Sequence, residues 1–264
     1  MQIDLSAKRA IVTGSTAGIG RAIAEGLARA GADVVITGRK QESVDAALAD
    51  INQAVPGARL SGLAVDLSTA EGAQTLMSTE PTADILVNNL GVYEPKPVFD
   101  LEDADWQEMF HTNVIASARL SRHYAPGMKE RGWGRLIFVS SESAQNIPVE
   151  MIHYGASKAA LQALSRGYAK ALAGTGVTSN SVLPGPTRTE GAQVVMTKFA
   201  NERGVSVEEM ERLFLDENRP STLLKRFATP EEVANLCVYV ASPQACATTG
   251  AALRVEGGIV ESIA

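Results

Sequence analysis

The chain has 264 residues, of which 45% are hydrophobic and 20% are charged, and its 24 basic and 30 acidic side chains give a net charge of −6. This composition excludes a disordered chain, which needs low hydrophobicity and high net charge. The acidic excess argues against nucleic acid or an anionic membrane as the main partner. No apolar run reaches the roughly 20 residues of a membrane span.

The two cysteines and the first residues indicate where the protein is found. Cys237 and Cys246 are too few for a disulfide scaffold, and both are expected to be buried thiols in a reducing compartment. Asp4, Lys8 and Arg9 stand where a signal peptide needs an apolar core. We therefore expect a cytoplasmic protein.

Short apolar runs alternate with longer amphipathic stretches, and no linker divides the chain, so one domain over residues 1–264 is predicted. The stretches Ile19–Ala30, Gln41–Ala54 and Trp106–Arg131 have apolar residues at spacings of three and four, which is typical of helices. This alternation predicts an α/β fold with a doubly wound (Rossmann-type), mostly parallel seven-stranded sheet and helices on both faces. The predicted strands are Arg9–Thr13, Asp33–Thr37, Arg59–Val65, Asp84–Val87, Arg135–Ser140, Val177–Leu183 and Ala251–Val255.

A glycine-rich turn follows the first predicted strand and opens the first helix. Glycine permits positive φ and close backbone approach, so a pyrophosphate could rest on the free N–H groups of the helix N-terminus. A glycine-rich loop without a ligand is the alternative, and the position at the first strand-to-helix turn argues against it. The turn has the spacing G-x-x-x-G-x-G, with its glycines at Gly14, Gly18 and Gly20 and with Ser15 and Ile19 between them.

Four polar residues further along the chain are candidates for catalysis. Asn113 lies within a helical stretch, where asparagine is a poor choice without a role, and Ser141 follows the fifth strand. Tyr154 and Lys158 are four residues apart, which puts both on one helix face. A lysine ammonium beside the phenol is expected to lower the tyrosine pKa, so that the tyrosine can act as a general acid or base. Ser140 should face away from Ser141, because side chains alternate along a strand.

A long insertion from Arg188 to Arg226 breaks the alternation of strands and helices. It ends before a predicted helix, for which Thr229 is the N-cap and Pro230 is the first helical residue. Long insertions after a strand end commonly cover a ligand site. The insertion carries many charges and two glycines, and we expect it to be a mobile lid at about residues 188–226.

Taken with two further motifs, these features resemble a known family. The run Asn88-Asn89-Leu90-Gly91 ends the fourth strand, and Pro184-Gly185 with Thr187 and Thr189 follows the sixth. From about Lys8 to Gly258 the chain resembles the short-chain dehydrogenase/reductase family in its compact single-domain form. The resemblance implies an oxidoreductase that moves a hydride between a nicotinamide cofactor and a carbonyl or secondary alcohol. Leu90 replaces the family's usual alanine, and Glu256 replaces a usual aspartate.

The resemblance also implies roles for individual residues. Tyr154 would transfer the proton, Ser141 would hydrogen-bond the substrate oxygen, and Asn113 would hold a water that links Lys158 to solvent. The predicted cofactor site consists of Gly14, Ser15, Gly18, Ile19, Gly20, Arg39, Asp66, Leu67, Asn88, Gly91, Tyr154, Lys158, Pro184, Gly185, Thr187 and Thr189.

The end of the second strand indicates which nicotinamide cofactor is preferred. In a dinucleotide-binding fold an acidic residue there binds the ribose 2′-hydroxyl, whereas an arginine pairs with a 2′-phosphate. Asp33 lies at the wrong end of the strand, and Gly38 stands where the acid is expected. Arg39 offers donors to a phosphate and Lys40 adds a second charge, so NADP(H) is predicted. Stacking of Arg39 on the adenine, with NAD(H) also bound, is the alternative.

The substrate pocket is expected to be mainly apolar, and the sequence does not identify the substrate. Glu94, Glu142 and Glu150 could discourage an anionic substrate, although each is expected to be solvent-exposed. The predicted walls are Tyr93, Glu94, Gln145, Ile147, Met151, Val194, Val195, Met196 and Phe199.

Two other functions remain open at this point: a reductase of 3-oxoacyl thioesters, and a dinucleotide-binding regulator that does no chemistry. No metal site is predicted, because His111, His123 and His153 lack partners at ligand spacing. The helices Trp106–Arg131 and Ile152–Ala173 have apolar residues on more than one face, and the resemblance implies that they pair across two-fold axes. We therefore expect a homotetramer.

Overall fold

A parallel sheet forms the centre of the computed structural model, which describes residues 2–263. Its strands lie within one residue of their predicted bounds: β1 (Arg9–Val12), β2 (Asp33–Gly38), β3 (Leu60–Ala64), β4 (Ile85–Asn88), β5 (Gly134–Val139), β6 (Val177–Pro184) and β7 (Ala252–Val255). Their order across the sheet is β3-β2-β1-β4-β5-β6-β7, and neighbours run parallel. The chain starts in the middle and winds outward in both directions, so the predicted doubly wound α/β fold is confirmed.

Helices cover both faces of the sheet, because successive side chains of the central strands point to opposite sides. Ala10 and Val12 of β1 belong to one buried apolar cluster, and Ile11 between them belongs to another. The first cluster is covered by α1 (Gly18–Arg29), α2 (Gln41–Ala54) and α9 (Pro230–Ala241). The second is covered by α3 (Ala70–Thr79), α5 (Ala116–Glu130) and α6 (Ile152–Ala171).

The strand β6 is buried along its whole length although its middle residues, Thr178–Ser181, are polar. Asn180 donates a hydrogen bond to the Thr248 carbonyl (2.8 Å) and accepts one from the Ala251 amide (3.1 Å). Ser179 donates to the Ser165 carbonyl of α6 (2.9 Å). These bonds offset the cost of burying Asn180 and Ser179 and fix β6 against its neighbours, whereas the hydroxyls of Thr178 and Ser181 are buried without a partner within residues 2–263.

The predicted single helix Trp106–Arg131 is wrong in one respect. The structure has α4 (Asp103–Phe110), then a π-helical turn over His111–Ile115, and then α5. A π turn inserts one residue into the helical repeat and is frequent at functional sites. Asn113 lies in this turn, so the residue that was a poor choice for a regular helix stands where the helix is irregular.

The insertion between β6 and α9 is mainly helical. It consists of α7 (Glu190–Arg203), capped by Thr189, and α8 (Val207–Asn218), capped by Ser206. These two helices bury a small apolar cluster of their own, in which Met196, Met210 and Phe227 take part. Thr229 then caps α9 as predicted, with Pro230 as its first residue.

The cysteine prediction holds for one residue of two. Cys237 is buried in α9, but Cys246 is exposed, because it follows the short 3₁₀ turn Pro243–Ala245 beyond the end of that helix. Across residues 2–263, the helices are too short or too polar to span a membrane.

A candidate active site at the carboxyl ends of the strands

The carboxyl ends of the central strands and the insertion enclose a cavity of about 370 Å³. Ligands of doubly wound sheets bind at this edge, where the loops that follow the strands come together. Residues from separate parts of the chain line the cavity, namely Ile19, Gly91, Ser141, Tyr154, Lys158, Pro184, Gly185, Thr187 and Thr189. The fold thus brings together most of the residues that the sequence predicted for catalysis and for the inner end of the cofactor site.

Ser141 and Tyr154 lie together at the centre of the cavity. The side chain of Ser141 hydrogen-bonds the Tyr154 side chain, and its Oγ accepts a hydrogen bond from the Ser143 amide (3.1 Å). Ser140 has a different partner, since its hydroxyl donates to the Lys158 carbonyl (2.8 Å). The geometry therefore favours Ser141, and not Ser140, as the serine that contacts a ligand.

Burial shifts the pKa values of Tyr154 and Lys158 toward their neutral forms. Desolvation raises the pKa of Tyr154 to about 12, against the opposing hydrogen bond from Ser141. Desolvation lowers the pKa of Lys158 to about 8. The prediction that Lys158 lowers the tyrosine pKa is therefore wrong for this structure. The Lys158 ammonium lies 5.6 Å from the Tyr154 ring centroid and donates to the Val139 carbonyl (2.9 Å), so the loss of solvation dominates.

Asn113 is completely buried and fixes the loop after β4. Its Oδ1 accepts from the Val92 amide (2.8 Å), while its Nδ2 donates to the Val92 carbonyl (3.0 Å) and to the Ser157 hydroxyl (3.0 Å). Gly91 lies between Asn113 and Lys158, because a Cβ at this position would be 3.2 Å from both Asn113 Oδ1 and Lys158 Nζ. Asn113, Gly91 and Lys158 are thus neighbours in the structure.

The glycine turn needs its glycines for two reasons. Gly14 (φ +62°) and Gly18 (φ +54°) adopt left-handed backbone, and a Cβ at Gly20 would clash with the Gly14 carbonyl and Asn89. Sequence analysis missed the role of Asn89, whose Nδ2 donates to the carbonyls of Thr13 and Gly14 (both 2.9 Å). Two consecutive asparagines at the end of β4 were the available signal in the sequence, but this pattern does not say which of the two side chains faces the glycine turn.

Three residues predicted for the cofactor site turn their side chains away from it. The Ser15 hydroxyl donates to the Val12 carbonyl (2.7 Å) and accepts from the Thr37 amide (3.0 Å). Asn88 donates to the Ser121 hydroxyl (3.1 Å), and Leu67 is packed in the core. These side chains stabilise the fold, so these three residues can contact a ligand in the site only through their backbone.

A second cavity, of about 560 Å³, lies beyond the glycine turn. Asp66 in its wall accepts hydrogen bonds from the amide (3.0 Å) and the hydroxyl (2.6 Å) of Ser68. The bond from the Ser68 hydroxyl is the main cause of the lowered pKa of Asp66. Arg39 lines the same cavity with an exposed side chain and also lowers the Asp66 pKa. Leu90 is part of this wall and packs against Gly14, so the bulkier residue is accommodated at the turn.

The walls of the main cavity agree only in part with the predicted substrate pocket. Tyr93, Met151, Val195, Met196 and Phe199 line it, whereas Glu94, Gln145, Ile147 and Val194 do not.

The expectation that Glu142 is solvent-exposed is wrong. Its side chain is only 3% exposed and pairs with Arg219 at 2.8 Å. The sequence did not reveal Arg219, because it lies 77 positions from its partner.

Comparison with known proteins places this geometry in context. A family model described as short chain dehydrogenase matches residues 8–199. The uncharacterized oxidoreductase YvaG of Bacillus subtilis is 42% identical over 263 residues, covering 100% of both chains. A D-beta-hydroxybutyrate dehydrogenase of Cupriavidus necator is 34% identical over 97% of this chain and 99% of its own length. The crystal structure of L-sorbose reductase from Gluconobacter frateurii, complexed with NADPH and L-sorbose, superposes with a TM-score of 0.92 at 32% identity, covering 100% of both chains.

Replacement of Lys158 by methionine tests whether the folded protein buries an ammonium. The pKa of about 8 lies below the ordinary 10.5, so the cost of burying the charge is present below pH 8 and is relieved as the pH rises toward 10.5. The stability of the unsubstituted protein relative to Lys158→Met should therefore increase by about 2 kcal/mol between about pH 7 and about pH 9.5. Urea unfolding at both pH values measures this difference, and a difference independent of pH would contradict the assignment.

Proposed function

The chain belongs to the short-chain dehydrogenase/reductase family, and we propose that it uses NADP(H) to interconvert a small carbonyl compound and the corresponding alcohol. The observation that carries this proposal is the convergence of Ser141, Tyr154 and Lys158 in one cavity beside the glycine turn. The residues present suit a dinucleotide, since the N-terminus of α1 at the glycine turn has no side-chain cap from Ala17 and no acidic residue in its first turn. L-sorbose reductase, which is similar over its whole length, holds NADPH in its crystal structure.

The residues of the cavity have distinct tasks in this reaction. Bound NADPH supplies the hydride. Tyr154 retains its proton at neutral pH because its pKa is raised to about 12, so its hydroxyl can protonate the oxygen of a carbonyl that is being reduced. Ser141 hydrogen-bonds Tyr154 and is placed to hold the same oxygen.

Lys158 and Asn113 assist the proton transfer that Tyr154 carries out. The Lys158 ammonium is positively charged below about pH 8 and lies 5.6 Å from the centroid of the Tyr154 ring. Asn113 and Gly91 adjoin it. This arrangement supports the relay that returns a proton to Tyr154, and a binding-only regulator has no need of it.

Substitution of Tyr154 by phenylalanine tests the proton donor. The variant should bind NADPH almost normally, while kcat for ketone reduction falls about 10²–10⁴-fold, the usual contribution of general acid catalysis. Oxidation of NADPH followed by absorbance measures the rate. Tyr168→Phe is the matched control, because the Tyr168 hydroxyl bonds the Ala118 carbonyl outside the cavity. Unchanged turnover in Tyr154→Phe would refute the role of this residue.

The preference for NADP(H) rests on the end of β2. Arg39 is exposed in the wall of the second cavity, where it forms no ion pair with the residues that the structure describes, and Lys40 follows it. Gly38 leaves no acid there, and a Cβ at this position would clash with Thr16. An aspartate at position 38, the acid that selects NAD(H), would therefore require the Thr16 side chain to move.

Substitution of Arg39 by alanine tests the recognition of the 2′-phosphate. NADPH binding should weaken by about 1.5–3 kcal/mol, the contribution of a hydrogen bond to a charged group, while NADH binding changes little. Fluorescence titration of both cofactors measures the two affinities. Arg29→Ala is the matched control, because Arg29 is exposed at the end of α1 and pairs with Glu25. Equal or better catalytic efficiency of the unsubstituted protein with NADH would favour stacking of Arg39 on the adenine.

Residues 188–226 are proposed to form a lid over the cavity. Met196 and Phe199 of α7 and Phe214 of α8 line it, and Glu190 connects the lid to the glycine turn. The Glu190 carboxylate accepts from the Gly18 amide (2.9 Å) and from Arg21 (2.5 Å).

Binding of NADPH and substrate should alter how this segment opens. Limited proteolysis should cut first within residues 188–226, and NADPH with a ketone should slow the cut, because opening segments belong to the less stable parts of a structure. Mass spectrometry of the fragments locates the cut. Equal cleavage with and without ligands would contradict a lid.

The proposed function also includes an oligomeric state and a cellular compartment. We propose a cytoplasmic homotetramer, since Cys237 and Cys246 are free thiols and the sheet ends in β7, which pairs with β6 and leaves one edge open. Isologous contacts through this edge and through α5 and α6 would produce closed symmetry. Sedimentation velocity distinguishes this assembly from the 27.8 kDa chain.

A further inference from the structure

A buried ion pair in the wall of the main cavity has no part in the proton transfer described above. Glu142 follows Ser141 directly, and Arg219 follows α8 of the lid. Arg219 Nε donates to Glu142 Oε1 at 2.8 Å, and the two side chains are only 9% and 3% exposed. Burial of two charges is costly, and a pair of this kind is weak as a device for stability alone.

The pair lies beside the reacting groups and not in the core behind them. Both residues line the cavity that holds Ser141 and Tyr154. They are also close enough to act on the phenol electrostatically, because Glu142 raises the pKa of Tyr154 and Arg219 lowers it. The wall on the lid side is otherwise mainly apolar, with Met196, Phe199, Phe214 and Phe227.

One oxygen of the Glu142 carboxylate has no hydrogen-bond donor within residues 2–263. Glu142 Oε1 accepts from Arg219 and from the Ser143 hydroxyl (3.0 Å). Glu142 Oε2 is buried, and nothing within residues 2–263 donates a hydrogen bond to it. Buried polar atoms are normally satisfied, and an exception in a ligand cavity calls for an explanation. A donor from the ligand would complete the coordination of this carboxylate.

We infer that Glu142, held by Arg219, recognises a hydroxyl group of the substrate, so that the substrate is a hydroxylated ketone or the corresponding polyol. This inference rests on the proposed carbonyl reduction and names its substrate class. A hydroxyl can donate to Oε2 and remain neutral. A substrate carboxylate would place negative charge against Oε2, and a substrate ammonium would lie beside Arg219 and Lys158. Because Glu142 acts electrostatically on Tyr154 and both residues line the cavity, the recognised hydroxyl lies near the carbonyl.

Three ketones with one carbon skeleton test the inference: 2-butanone, 1-hydroxy-2-butanone and 1,3,4-trihydroxy-2-butanone. Values of kcat/KM with NADPH are compared for the unsubstituted protein, Glu142→Gln and the double variant Glu142→Met/Arg219→Met. The double variant avoids an unpaired buried charge, which single removal would create. Thermal unfolding and NADPH titration verify that each variant is folded.

The unsubstituted protein should favour a hydroxylated ketone over 2-butanone by at least about tenfold in kcat/KM, the discrimination expected when a buried polar group loses its partner. In the double variant this ratio should fall toward one, and in Glu142→Gln it should take an intermediate value. Glu94→Gln is the matched control, because it removes an exposed carboxylate that does not line the main cavity. A ratio that is equal in the unsubstituted protein and the double variant, as a purely structural pair requires, would overturn the inference.

A binding measurement separates this inference from the proposed function. Calorimetric titration of the trihydroxy ketone into the complex with NADP⁺ reads recognition without turnover. Binding that the double variant loses, without oxidation of NADPH by any of the three ketones, would support the recognition and refute the reduction. Reduction of 2-butanone without binding or reduction of either hydroxylated ketone would overturn the inference and leave the proposed function intact. If neither binding nor reduction is observed, the inference and the proposed function are both overturned.

Discussion

The parallel register of β1, β4, β5 and β6 is the constraint on which the candidate site depends. It brings the carboxyl ends of four strands to one edge of the sheet, although the segments that follow them are far apart in sequence. Asn89 joins two of these segments directly, because its amide donates to the Thr13 and Gly14 carbonyls. Without this register the glycine turn, Ser141 and Pro184–Gly185 would not share a cavity.

Removal of water from this edge then determines the chemistry of its side chains. Tyr154 and Lys158 are each shifted toward the neutral form, which leaves a protonated phenol at neutral pH. Glu142 and Arg219 pair with each other in the same wall, where burial raises the pKa of Glu142 against the opposing effect of Arg219. A proton donor and a polar anchor therefore lie together in a cavity whose other surfaces are mainly apolar, an arrangement suited to small-molecule recognition.

Local irregularity supports this arrangement at two points. The π turn over His111–Ile115 places Asn113 beside Gly91 and Val92. Gly38 allows Thr16 to pack against the end of β2, which leaves the following Arg39 as the charged group at the second cavity. Both features deviate from ideal helix or strand residue choice, and both lie where a ligand is expected.

The sequence by itself determined the strands, the helices on both faces of the sheet and the placement of Tyr154 and Lys158 on one helix face. Each of these follows from local periodicity, which short windows of the chain contain. The glycine turn was also predictable, because only glycine tolerates its backbone and its close contacts.

Only the tertiary structure decided which polar side chains face the cavity and how they ionise. Ser15 and Asn88 turn inward, whereas Asn89 faces the glycine turn. Desolvation depends on all groups packed around a side chain, so no local pattern reveals that the pKa of Tyr154 is raised and not lowered. For the same reason Glu142 appeared to be a surface residue, since its partner Arg219 comes from a distant segment that only the packing of the lid brings to it.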